Sequence, residues 1–271
     1  MGAILSYPDR TLAASLSGGS WSSSYPLANL QNGQMGVKAR TTNTISTSSI
    51  ILVDIGATAR TIQCLAVLSH NISFSGTILA RGYSDAGYTT LVTGANTGTQ
   101  YAYPQTLTAE KAAQYPNHWI YALPAGVTAR YWKIEIIDTG NGYGYIELGR
   151  VWIGEATLAP VTTINKGFSL VYESREITGE SLGGAIWGDG RPPRRVMPVT
   201  WGYLTPAEKR TAIIMQKTLG KTGELLYITD SGAAAADMIL EAFPANIRTV
   251  SPLTYPFYHN NEMPVELAEK L

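Results

Sequence analysis

Charge is scarce in this sequence. Its 271 residues carry 20 Lys and Arg against 20 Asp and Glu, 15% charged in all, with a formal net charge of zero. That balance gives no whole-chain footprint for nucleic acid or an anionic membrane surface, and it favours association. Cysteine is nearly missing. Cys64 stands alone, so no intrachain disulfide can form, and its place in the apolar run 62–68 predicts a small buried hydrophobe. The three histidines, His70, His118 and His259, lie far apart with no Cys or His at ligand spacing. Neither a metal site nor a cofactor is expected. No run reaches the roughly 18 apolar residues of a membrane span. The opening MGAILSYPDR lacks a basic region followed by a long apolar core. Synthesis in the cytoplasm without a secretory signal is the expectation.

What is plentiful is glycine (27), tyrosine (16) and apolar side chains (45%). This composition suits a mainly β protein with many turns, and the length suffices for two domains. The organising stretch is 131–155, YWKIEIIDTGNGYGYIELGRVWIGE. Trp132, Ile134 and Ile136 alternate with Lys133, Glu135 and Ile137; Ile146, Leu148, Val151 and Ile153 follow a Gly/Asn turn. The pattern predicts a β-hairpin that needs a larger sheet against it. Upstream, strands are expected at 10–16, 37–41, 50–55, 61–69, 77–83 and 88–93. The strand at 61–69 is apolar on both faces and so central in a sandwich. The long segment 94–118 exceeds an ordinary loop and has room for a helical turn near Thr108. It carries Tyr101, Tyr103, Tyr115 and His118, with Trp119 next to it: a set able to stack on a sugar or partner, or to tack the loop to the sandwich.

The tryptophan-led strand and the closing I-E-L-G-R-V-W-I-G resemble the end of the discoidin (coagulation factor 5/8 type C) family, a galactose-binding-like jelly roll. Trp21 with Tyr25–Leu30, Ala39–Thr41, Ile51–Gly56 and Leu68–Asn71 follow in that family's order. The resemblance implies a jelly-roll β-sandwich over 1–157 with ligand-contacting loops at one end. By it, Trp21, Tyr25, Arg81 and Asp85 join Tyr101, Tyr103 and His118 as candidate ligand-binding residues. Trp21 and Tyr25 also fit a role as plugs of the sandwich end.

A linker at 156–160 opens a second domain, 158–271. Strands are expected at 168–172, 175–178, 196–201, 225–229, 238–243 and 249–255, with a helix beginning near 233 as the alternative for part of that run. The charged tail 263–271 suits a short helix or a frayed end. Thr205, Pro206 and Glu208 form a capping box that starts a helix over 206–219, stopped by Gly220. The order of strands around this helix resembles the β-sandwich or barrel domain of siphophage distal-tail, tail-hub and baseplate proteins, carried by 195–201, 204–208 and 223–230. In the Gly/Pro/Arg-rich loop 183–195, Trp187, Arg191, Arg194 and Arg195 are candidate subunit contacts.

Gly179-Glu180-Ser181-Leu182-Gly183 matches the G-x-S-x-G nucleophile elbow. Gly188, Gly190, Pro192 and Pro193 leave no room for the helix that should follow, and the βα alternation of a parallel sheet is missing. A glycine-rich turn is the expectation, with no catalytic residue. Taken with the resemblances, the chain reads first as a non-enzymatic protein of a phage tail tip or baseplate. It would be located in the virion, bound to other tail proteins and built into a homo-oligomeric ring, its jelly roll facing outward to brace neighbours or touch host-surface glycan. The alternative is a carbohydrate-binding module of a lectin, adhesin or glycoside hydrolase; a serine hydrolase through Ser181 is third.

Overall fold

A computed structural model describes residues 2–56, 58–160, 169–250, 254–257 and 260–271. The chain divides into two compact units. The first comprises Ala3–Thr157 and Leu226–Phe243, the second Leu158–Leu225 and Pro244–Leu271. Residues 226–243, assigned from sequence to the second domain, therefore pack with the first. The protein is mainly β, built of open sheets, with no closed barrel.

The first unit contains β1 (Ile4–Asp9), β2 (Ser15–Ser17), β3 (Ala39–Arg40), β4 (Ile50–Asp54), β5 (Arg60–Leu68), β6 (Thr77–Tyr83), β7 (Leu91–Asn96) and β8 (Gln100–Tyr101). A helical turn α1 (Ala109–Ala112), capped by Thr108, is followed by β9 (His118–Ala129), β10 (Tyr131–Ile137), β11 (Glu147–Leu148) and β12 (Arg150–Leu158). Residues 10–13 form a 3-10 turn rather than part of a strand, because the Asp9 carboxylate accepts the Thr11 N–H and bends the chain.

In one sheet β1, β12, β5 and β9 are neighbours in that order; the other runs β2–β4–β10–β6–β7, with β8 on β6. β10 pairs antiparallel with β4 and β6, while β12 pairs antiparallel with β5. The expected hairpin of 131–155 is thus an arch: its two strands lie in opposite sheets. Trp132, Ile134 and Ile136 of β10 share one buried cluster with Val151 and Ile153 of β12 and with Leu65 and Val67 of β5. Apolar faces that meet across a sandwich bury more surface than two strands side by side, and the same alternation serves either arrangement.

β5 is central, as its doubly apolar pattern implies. Its second face, Cys64, Ala66 and Leu68, packs with Ile4, Trp152, Ile228 and Ala242. Burial pushes the Cys64 thiol up to about 12. Residues 235–241, where a strand at 238–243 or a helix beginning near 233 is expected, form a helix. Buried Asp9 accepts both Arg150 Nε at 3.0 Å and Nη2 at 2.8 Å, tying the start of the unit to its last strand.

The second unit contains β13 (Val171–Glu173), β14 (Ile177–Glu180), β15 (Ile186–Asp189), β16 (Arg194–Trp201), α2 (Pro206–Leu219) and β17 (Glu224–Ile228), whose last residues belong to the first unit. After α3 (Ala235–Glu241) come β18 (Phe243–Val250), β19 (Thr254–Phe257) and β20 (Asn260–Glu269). The capping box of α2 is present: Glu208 N donates to Thr205 Oγ1 at 3.3 Å, and Thr205 N donates to Glu208 Oε2 at 2.7 Å. β16 and β18 both pair with β20, so the tail is an inner strand and not a helix or a fray. Its Met263, Val265 and Leu267 alternate inward, a pattern masked in the sequence by Glu262, Glu266 and Glu269.

Candidate functional site

Two loops of the first unit, 69–76 and 138–147, are stapled together along a polar cleft of about 390 Å³. Asn71 Oδ1 accepts the Glu147 N–H at 2.7 Å, and its Nδ2 donates to Tyr145 O at 3.1 Å. Asn141 Nδ2 donates to Asn71 O and to the buried Asp138 Oδ2, both at 2.9 Å. Asp138 also accepts the Ser73 N–H at 2.7 Å. The Gly/Asn stretch 140–144, expected as a hairpin turn, is therefore a wall of the cleft, held by amide bonds that leave it little freedom.

Tyr103 closes another side. It is buried, its hydroxyl donates to Asn117 Oδ1 at 2.7 Å, and burial pushes that hydroxyl up to about 12. Its ring meets the His70 ring edge-on at 5.5 Å. His70 is 3% exposed, and burial, with His118 and Lys38 nearby, holds it down to about 3. Its Nδ1 accepts the Ile72 N–H at 3.3 Å, which puts the proton of the neutral ring on Nε2. That Nε2 has no hydrogen-bond partner among the described residues. Lys38 Nζ donates to Ser69 O at 2.6 Å and to Ser69 Oγ. Burial lowers its pKa, opposed by Glu147. Glu147 Oε2 itself takes both Nε and Nη2 of Arg40, at 3.1 and 2.7 Å. Tyr143 is exposed at the cleft.

The other sequence candidates divide. Tyr101 and His118 line a separate cavity of about 270 Å³ with Trp119, Tyr121 and Met238. Trp119 and Tyr121 are stacked there, 5.9 Å apart at 14°. His118 is buried, and its Nδ1 accepts the Ser69 N–H at 3.0 Å, so it also braces the cleft's loop. Trp21, Tyr25, Arg81 and Asp85 line neither cavity. Trp21 donates its indole N–H to Gly18 O at 3.0 Å and packs against the core, as a plug. Tyr25 and Tyr145 sandwich the Arg40 guanidinium at 4.3 and 4.1 Å. Arg81 is paired with Glu135, which also holds Lys133 at 2.8 Å. Asp85 accepts the N–H groups of Thr90 at 2.6 Å and Thr89 at 3.2 Å, which bring its carboxyl down to about 2 and occupy it in closing a turn.

In the second unit, Arg195 is 1% exposed and paired with Glu269, and Arg194 is paired with Glu173. Both lie on β16, so neither is a loop contact; burial of Arg195 demanded a carboxylate partner inside the fold. Trp187 and Arg191 do remain exposed, Arg191 bonded to Asp189 at 2.9 Å. Ser181 sits in the turn joining β14 to β15, where its Oγ accepts the Ala185 N–H at 3.1 Å. Gly184, at φ +80°, supplies the left-handed residue of that turn. A strand follows Ser181, so the elbow geometry is not formed. His259, named with it in the hydrolase reading, lies outside the described residues.

Sequence reasoning missed Lys38, Asn117, Asn141, Tyr143 and Glu147. The one signal nearby was weak: Ser69, His70 and Asn71 occurred in the family-like order, and no spacing joins residues from three separate stretches of the chain.

No family model matches the chain, and no curated protein does. Among solved structures it is similar to the family 32 carbohydrate-binding module of NanJ from Clostridium perfringens, in complex with galactose. That match has 14% identity and a TM-score of 0.40, and covers 56% of this chain and 99% of the module. It is also similar to a module from a family 31 glycoside hydrolase of the same organism, at 12% identity and a TM-score of 0.40 over 55% of this chain and 99% of that one. A third is the AlyQ module in complex with 4,5-unsaturated mannuronic acid, at 18% identity and a TM-score of 0.37 over 55% and 96%. Similarity at this level assigns this chain neither a family nor a ligand.

Proposed function

We propose that the first unit is a non-catalytic glycan-binding module whose ligand occupies the cleft of Lys38, His70, Asn117, Tyr143 and Glu147. One observation carries this reading: polar side chains around the cleft are fixed by hydrogen bonds to one another and to the backbone of the facing loop before any ligand arrives. Sugars present hydroxyl groups in a rigid pattern, and a prearranged wall spares the ordering cost of binding them. Tyr143 supplies an exposed ring for a sugar face, and Asn117, whose Oδ1 is held by Tyr103, keeps its amide N–H groups for hydroxyl oxygens. A glycan array probed with the full chain should give a defined set of binders. Tyr143→Ala and Asn117→Ala should each weaken them by about tenfold, the size of one good contact. An array that stays blank removes the proposal.

A second reading, assembly in a phage tail tip, rests on the hairpin β14–β15. Ile177, Leu182, Ile186 and Trp187 are all exposed, and Leu182 and Ile186 are largely uncovered. An isolated two-stranded hairpin is marginal in water and gains stability when its apolar side chains are covered. The occupant in this reading is a second copy of the chain, in keeping with zero net charge. Light scattering should then show an oligomer that Trp187→Ser converts to monomer; a monomer at every concentration removes this reading. Location in the virion belongs to it and falls with it.

A further inference from the structure

Three hydrogen-bond donors along the cleft lack acceptors. His70 Nε2–H is buried and unpartnered. Lys38 has spent its bonds on the two oxygens of Ser69, which leaves one N–H of its ammonium and no ion pair among the described residues. Asn117 keeps its amide N–H groups, since only its oxygen is used by Tyr103. Two of the carboxylate acceptors on the same walls are engaged: Asp138 holds Ser73 and Asn141, and the Oε2 of Glu147 holds Arg40. Arg40 thereby offsets much of the charge of Glu147, which lies near Lys38 without forming an ion pair with it. A buried donor without an acceptor costs on the order of 1–3 kcal/mol, and a half-buried ammonium that makes no direct ion pair adds to that. A neutral hexose answers the donors with hydroxyl oxygens but leaves the ammonium unpaired. A carboxylate answers both.

We propose that the cleft selects an acidic sugar, a uronate-type residue whose carboxylate is held between Lys38 Nζ and His70 Nε2–H. This rests on the glycan-binding reading and narrows it to a substrate class. Charge-assisted hydrogen bonds to a carboxylate are about twice as strong as neutral ones, which makes the ammonium the discriminating group. His70 acts as an oriented neutral donor, its tautomer set by the Ile72 N–H.

The test is calorimetric titration of the full chain with two matched pairs, galactose against galacturonate and glucose against glucuronate. In 50 mM NaCl at least one uronate should bind about tenfold or more tighter than its neutral parent. Raising NaCl to 500 mM should weaken the uronate severalfold and the neutral sugar little. Lys38→Met should bring the uronate to within about twofold of its parent. The salt titration uses the unaltered protein, so the inference stays falsifiable if that variant does not fold. Equal affinities within both pairs, or tighter binding of the neutral sugars, overturn the acidic-sugar inference and leave glycan binding standing. Absence of binding in both pairs, together with a blank array, overturns both.

Discussion

β10 and the hairpin β14–β15 carry similar apolar side chains to opposite ends. In β10, Trp132, Ile134 and Ile136 are at most 1% exposed, inside the sandwich. In the hairpin, Ile177, Ile186 and Trp187 are at least 53% exposed. The contrast lies in what stands opposite. β10 has a neighbour on each side and a second sheet across the core, whereas among the described residues β14 and β15 pair only with each other. Trp187 folds its ring across Gly179, where an added Cβ would come within 2.4 Å of the indole, and this is its cover within the hairpin. Alternation thus tells which side chains share a face; it does not tell whether anything covers that face.

The largest effect should come from emptying the covered face. Trp132→Ala removes the biggest side chain of β10 and should cost about 3–5 kcal/mol in denaturant unfolding, a large share of an ordinary domain's stability. A loss below about 1 kcal/mol would mean that this core is not the sandwich's anchor. Next is Asp9→Ala, which removes the carboxylate paired with the buried Arg150 guanidinium and should cost about 3–5 kcal/mol; replacing both partners with apolar residues should recover much of that.

The buried ring of His70 gives a smaller effect that depends on pH. Its folded pKa, about 3, lies below the unfolded value of 6.5, so between those values the unfolded chain binds the extra proton. Stability from this group is complete above pH 6.5 and falls as the pH drops towards 3, by at most about 1.4 kcal/mol per pH unit. Urea midpoints measured from pH 7 to 4 should show the slope, and His70→Phe should flatten it. On the uncovered side, Trp187→Ser should move the urea midpoint by less than about 0.5 kcal/mol in dilute protein, whatever it does to association. Smallest of all is the response of Cys64 to a thiol reagent at pH 8: no labelling of the folded chain and full labelling in urea, because the thiol is buried and protonated.

Local signals were read with most success where the chemistry is local. Thr205, Pro206, Glu208 and Gly220 bound α2 at both ends, since a capping box closes within one turn. The strand at 77–83 and the two-faced strand β5 followed from alternation alone. The tail 263–271 did not, because three glutamates obscured an inner strand whose partners are far away in sequence. β9 was missed for a related reason: Pro124, Gly126 and Thr128 interrupt its apolar pattern, and its pairing with β5 shifts register between Ile62 and Cys64. Among site residues, Tyr103 was found in the aromatic segment, whereas Lys38, Asn117 and Asn141 had nothing in their neighbourhoods to mark them.

From the residues alone came a mainly β chain of two parts, a single inert thiol, one well-capped long helix and a serine in a glycine-rich turn. These rest on propensity, spacing and burial habit, which act over a few residues. The fold alone settled that 131–155 is an arch between sheets, that residues 226–243 complete the first unit, and that Arg195 is an inner ion-pair partner. It also brought Lys38 and His70 to one cleft. Each of those depends on which distant segment supplies the opposing surface or charge, and no local pattern encodes that choice.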